Sequence, residues 1–269
     1  MKQFGFFKAF LVLLIFMLIN IIISFSLQIM LQFQMISFYS FKLLLSLTFL
    51  IPTFIVYYIY KSYIHFSIKI SNNFLLYTIL IILAFSLQII GTIIEVWSIS
   101  IIPENYQNYY NLLKEMLLPK NDFDAFISLI TIGIIAPFCE EFLFRGIILD
   151  NLYKKYPPIT ANLFQAILFG IAHMNPFQFL YAIPIGYLLG WFYIKTKNLW
   201  IPICIHIFTN SLAIILSFIE IDQPFWKKMF HFGEDAKSIY DLPFGTNLFF
   251  FFCINYIYFT YTKINKKKC

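Results

Sequence analysis

Glu140, Glu141 and Arg145 stand inside the run PFCEEFLFRG, residues 137–146, which is otherwise apolar enough to lie within a membrane. Each ionised group held at bilayer depth costs roughly 2.5–3.5 kcal/mol on insertion scales, so such side chains persist there only with a partner or a task. Two further apolar runs carry one histidine each: His173 closes FGIAH, and His206 opens HIFTN, which ends at Asn210. Carboxylates and imidazoles are therefore available to meet within the bilayer, the equipment of a buried active site.

On a helix, residues four apart share a face, so Glu141 and Arg145 are expected to pair while Glu140 points about 100° away. One acid is thereby partnered and the other is left free to act as a base. His173 shares its face with Phe169 in the same way, and His206 with Asn210. A buried ion cluster that only locks helices together would use Glu140, Glu141 and Arg145 equally well, and a lone histidine is often a hydrogen-bonded core residue. That explanation weakens when ionisable groups accumulate in three separate apolar runs.

Two chemistries fit these side chains. In one, Glu140, His173 and His206 bind Zn²⁺ and leave a position for a water whose acidity the metal raises. In the other no metal is needed: Glu140, assisted by His173, deprotonates water, while His206 and the Asn210 amide donate to the developing oxyanion. Residue types alone leave both open. The absence of HExxH excludes the common helical zinc-protease arrangement, and the absence of GxSxG offers nothing to a serine mechanism.

The elements that must position these groups are membrane helices. The chain is 61% hydrophobic and 12% charged, against about 25% charged in ordinary soluble domains. At about 20 apolar residues per span, runs fall near 9–31, 41–60, 74–94, 125–148, 160–175, 177–194, 199–219 and 245–262. The fold class is thus all-α: a polytopic integral membrane protein of about eight transmembrane helices, with a core of catalytic helices from spans four to seven. The first run is too long for a signal peptide and lacks a small-residue cleavage site, so it is expected to be retained.

Lysine distribution supports this layout, because short cytoplasmic loops hold an excess of Lys and Arg. With the N-terminus inside, the inner segments collect Lys2, Lys8, Lys61, Lys69, Lys154, Lys155, Lys195, Lys197, Lys263, Lys266, Lys267 and Lys268 against Asp150. The outer segments hold Lys42, Lys114, Lys120, Lys227, Lys228 and Lys237, outnumbered by acids such as Glu104, Asp122, Asp124, Glu234 and Asp235. Both termini are therefore expected in the cytoplasm. The net charge of +6 reads as membrane orientation, not as a nucleic-acid partner.

Residues 104–118 suit an interfacial helix and residues 220–244 an aromatic-rich loop. Gly186 and Gly190 form GxxxG, expected to mark a close helix contact. Cys139, Cys204, Cys253 and Cys269 suggest no disulfide framework. The ending KKKC is not a C-a-a-X box, so the chain does not read as a prenylation substrate itself.

EEFLFR at 140–145, FGIAH at 169–173 and HIFTN at 206–210 resemble the EExxxR, FxxxH and HxxxN/D motifs of the CPBP family. That family comprises type II CAAX prenyl endopeptidases and bacterial relatives called Abi or bacteriocin-processing proteins; its names often include "metalloprotease", although the metal-free glutamate mechanism is the favoured reading over zinc. The resemblance covers about residues 125–217, with 1–124 and 218–269 as flanking helices and loops that carry no matching motif. It implies an eight-helix intramembrane peptidase of a bacterial cell membrane. Glu140 would be the base acting with His173, His206 and Asn210 would stabilise the oxyanion, and Glu141, Arg145 and Phe169 would support them. The implied partners are the bilayer and a protein or peptide substrate, prenylated or not. A non-enzymatic scaffold or bacteriocin self-immunity protein is the competing reading. A proton-coupled transporter is a third, without the inverted repeats expected of one.

Overall fold

The computed structural model describes residues 4–101 and 119–218. The expected interfacial helix at 104–118, the loop at 220–244, the eighth span at 245–262 and the basic tail lie outside these residues. Among the described residues the apolar runs form helices and no strand: α1 (Phe6–Gln32), α2 (Phe38–Leu44), α3 (Ser46–Tyr60), α4 (Phe74–Ile101), α5 (Asp122–Leu152), α6 (Pro158–Ala172), α7 (Pro176–Thr196) and α8 (Trp200–Phe218). Five stretches are long and apolar enough to cross a membrane: α1, α2 joined with α3, most of α4, α5 and α8. The protein is an all-α, polytopic integral membrane protein.

The second expected span divides at Leu45. Just past it the hydroxyls of Ser46 and Thr48 donate back to the carbonyls of Leu43 and Leu45 at 2.7 and 2.6 Å, local bonds that compete with the regular helix ladder. The fifth span starts at Pro158 and stops at Ala172. At 1.5 Å per residue α6 is about 22 Å long, less than the hydrocarbon core of about 30 Å. It ends in a tight reversal in which Met174 adopts φ 50° and Pro176 opens α7. His173 therefore sits at the C-terminal end of α6. Ile159, Leu163, Ile167 and Ile171 form an exposed stripe along α6, the face turned to lipid.

α5 is the central element. Half of its most apolar window is buried, against 22% for α1, and its second half contributes Leu143, Phe144, Ile147, Ile148, Leu149 and Leu152 to the main core. α6 packs along α7, and α8 packs on α4 and α5. Two stretches of α5, Leu129–Ile135 and Phe142–Leu149, are wound as wider π turns around an ordinary α-helical segment, Ala136–Glu141. Such widened turns often accompany functional sites. Asn210 Nδ2 and Ser211 Oγ of α8 donate to the carbonyls of Ile132 and Gly133 in the first of them, at 3.2 and 3.4 Å.

Asp124, near the start of α5, is buried against Lys42 of α2 with Nζ 2.7 Å from its carboxylate. Lys42 is only 4% exposed; its place among outer charges in the sequence concealed a specific buried partner.

Gly186 and Gly190 let α7 approach α6 closely, as the GxxxG spacing predicts. A Cβ at Gly186 would come 2.8 Å from the Phe169 ring, and one at Gly190 would come 2.0 Å from Asn162 Oδ1. Neither side chain can withdraw freely, since Asn162 donates to the Tyr187 carbonyl at 2.9 Å. Gly190→Ala is therefore expected to destabilise by about 1–3 kcal/mol, the usual cost of overpacking, read as a lower thermal midpoint in detergent, while Ala182→Gly in the same helix serves as a control without a clash.

Candidate active site

Glu141 and Arg145 pair as their spacing predicts, Nη1 to Oε1 at 2.6 Å, with both side chains wholly buried. The same carboxylate oxygen accepts from His206 Nδ1 of α8 at 2.7 Å. Arg145 extends further: Nη2 donates to the Gly186 carbonyl of α7 at 2.8 Å, and the guanidinium lies 4.6 Å from the centre of the Phe169 ring of α6. Arg145 thus joins two helices to its own, and Glu141 adds a third through His206. Gln165 Nε2 donates to the same Gly186 carbonyl at 3.0 Å and to Asn162 at 2.9 Å. The sequence reading passed over Gln165 and Asn162; their signal was two amides three apart on an apolar helix.

Phe169 is 2% exposed and stands edge to face with both imidazoles, 4.8 Å from His173 and 5.9 Å from His206 between ring centres. Its backbone carbonyl lies 2.8 Å from His173 Nδ1. A carbonyl only accepts, so Nδ1 carries the hydrogen and the Nε2 lone pair of neutral His173 is free. By the same argument His206 donates from Nδ1 to Glu141, which fixes the ring plane and turns Nε2 towards Glu140, 3.8 Å from Oε2. That gap is too long for a direct hydrogen bond, and it is where a bridging water is to be looked for.

Glu140 has no direct hydrogen-bond partner among the described residues. It lines a cavity of about 520 Å³ together with His173, His206 and Asn210. Glu140, one residue from the buried Glu141, thus keeps a free carboxylate on the cavity while its neighbour is held by an arginine and a histidine. Asn210 spends one amide hydrogen on the Ile132 carbonyl and keeps the other. Among the described residues, no three His, Cys, Asp or Glu side chains come close enough to share a metal ion, so Glu140, His173 and His206 do not form the donor set that zinc requires. The cavity therefore holds a free carboxylate, a free imidazole nitrogen, a second imidazole fixed by an acid, and an amide hydrogen: a proton acceptor and donors grouped around a space that can admit water.

Residues 122–212 match the family model described as Type II CAAX prenyl endopeptidase Rce1-like. YdiL of Bacillus subtilis (strain 168), described as a candidate membrane peptidase, is 32% identical over 90 residues, 34% of this chain and 37% of that one. The membrane-embedded CAAX protease MroQ of Staphylococcus aureus (strain USA300) is 29% identical over 101 residues, covering 35% of this chain and 40% of that protein. An uncharacterized 24.3 kDa protein of Escherichia coli is 26% identical over 180 residues, 58% of this chain and 81% of its own length. The chain thus spans well under half the length of the first two relatives. No solved structure matches it.

Proposed function

We propose that this chain is an intramembrane endopeptidase of the CPBP kind acting on a membrane-associated protein or peptide, a reading supported by the match of residues 122–212 to the Rce1-like family model and by the similarity to membrane peptidases. The observation that carries this reading is the shared cavity: Glu140, His173, His206 and Asn210 come from three helices and face one space. Glu140 takes a proton from a water held in that cavity, and the water oxygen attacks the scissile carbonyl carbon. The carbonyl oxygen becomes an oxyanion that the second amide hydrogen of Asn210 and the Nε2 hydrogen of His206 stabilise. Since Nδ1 of His206 donates to Glu141, this second donation requires the imidazolium, and Glu141 supplies its counter-charge. When the C–N bond breaks, the proton passes from Glu140 to the leaving amine. His173, with Nε2 unprotonated, holds the water in line.

A scaffold whose acids only lock helices accounts for Glu141 and Arg145. It does not account for Glu140, which faces the cavity without a direct hydrogen bond among the described residues. The lysine distribution supports a placement with both termini on the cytoplasmic side of a bacterial cell membrane.

Comparing membrane peptides from cells carrying the wild type and Glu140→Ala tests the proposal: at least one peptide is expected to keep an uncleaved terminus in the variant. Identical termini in both would overturn it. The metal-free route makes a second expectation, that EDTA and 1,10-phenanthroline leave cleavage by the purified protein unchanged. A loss of activity restored by added zinc would return the zinc arrangement to first place.

A further inference from the structure

The cavity extends well beyond the groups that the mechanism uses. Along α7 its wall runs from Gln178 to Leu189, about 16 Å at 1.5 Å per residue, the length of about five residues of extended chain. Its far wall belongs to α1, α3 and α4, helices outside the stretch matched by the family model.

Many hydrogen-bond donors lining the cavity are already committed. The hydroxyls of Thr48, Thr92, Thr131 and Thr209 each donate to a nearby backbone carbonyl, and Asn20 donates to the Thr48 carbonyl. Gln88 of α4 and Gln178 of α7 differ. Both line the cavity, both are half-buried, and neither side-chain amide has a hydrogen-bond partner among the described residues. A primary amide carries two donors and an acceptor, and leaving such a group unpaired away from water is costly. An extended peptide segment has the complementary need, since every N–H and C=O it brings to bilayer depth lacks a partner.

We propose that Gln88 and Gln178 bind the substrate's backbone amides and hold it extended across the cavity, so that one carbonyl is presented to Glu140. The inference rests on the peptidase reading and adds its substrate-positioning residues. A neutral amide pair recognises a peptide unit irrespective of side chain; the ligand class is an apolar, extended peptide segment.

The test uses the full-length protein in lipid nanodiscs and a short alanine–leucine peptide carrying fluorescein. Binding is measured in the Glu140→Gln background, and cleavage with Glu140 intact. Gln88→Met and Gln178→Met are each expected to raise Kd and KM about five- to tenfold, the worth of one hydrogen bond, with kcat little changed. An ester scan of the peptide backbone adds a reading that needs no variant: replacing particular amides by esters is expected to weaken binding, and that penalty disappears in the variant lacking the partner glutamine. Unchanged Kd in both variants, no ester-sensitive position in the unsubstituted protein, or no binding of the peptide overturns the inference. Binding that responds as expected without cleavage sustains it and removes the peptidase reading instead.

Discussion

Arg145→Met is expected to destabilise the protein by about 3–5 kcal/mol, the cost of removing one partner from a buried ion pair. The guanidinium holds Glu141 at 2.6 Å and the Gly186 carbonyl at 2.8 Å, with the Phe169 ring stacked against it. Removing it leaves the wholly buried Glu141 carboxylate with His206 as its remaining partner, and it also releases α7 from α5. Adding Glu141→Gln to Arg145→Met should restore part of the loss, because the buried carboxylate goes with its guanidinium while the Gln oxygen can still accept from His206. Arg145→Lys should rescue poorly, since an ammonium lacks the planar fork that reaches the carboxylate and the carbonyl together. Thermal midpoints of the three variants in detergent decide the matter. A midpoint for Arg145→Met close to that of the wild type would mean that the pair contributes little to the packing of these helices.

Glu140→Gln should behave in the opposite way, leaving the fold intact and removing catalysis. The side chain keeps its shape, and no direct hydrogen bond is lost among the described residues, so the midpoint should move by no more than about 0.5 kcal/mol, as for substitutions away from buried networks. The lost proton acceptor should lower kcat by about 10²–10⁴-fold, the range for general acid–base groups, with KM little altered. Single-turnover cleavage of a labelled peptide in nanodiscs provides the measurement. If Glu140→Gln cleaves at the wild-type rate, another group accepts the proton, and His173 Nε2 is the next candidate.

Some of this arrangement was legible in the sequence and some was not, for a physical reason. Helical spacing gave the Glu141–Arg145 pair and the common face of His206 and Asn210, because both depend only on local periodicity. The motif order along three runs pointed to one site, and the four residues proposed as catalytic do line one cavity. Contacts between distant segments left no such signal: Glu141 with His206, Arg145 with Gly186, and Lys42 with Asp124 depend on how helices pack. The π turns in α5 also escaped, since they change the register that α-helical counting assumes. Gln88 and Gln178 stand in apolar runs without a motif, and only their unpaired amides on a shared cavity distinguish them. The end of α6 was placed three residues too late because Met174 and Asn175 continue a tolerable pattern, whereas the chain reverses there through a left-handed φ.

That short α6 has a consequence for the surrounding lipid. Its exposed isoleucines and leucine face acyl chains along only about 22 Å, against a hydrocarbon slab of about 30 Å. A helix this short is expected to draw the two leaflets inward beside it, a distortion that costs fractions of a kcal/mol per Å of shortfall. Thinning of that kind would shorten the path from the aqueous phase to the cavity that Glu140 and His173 line.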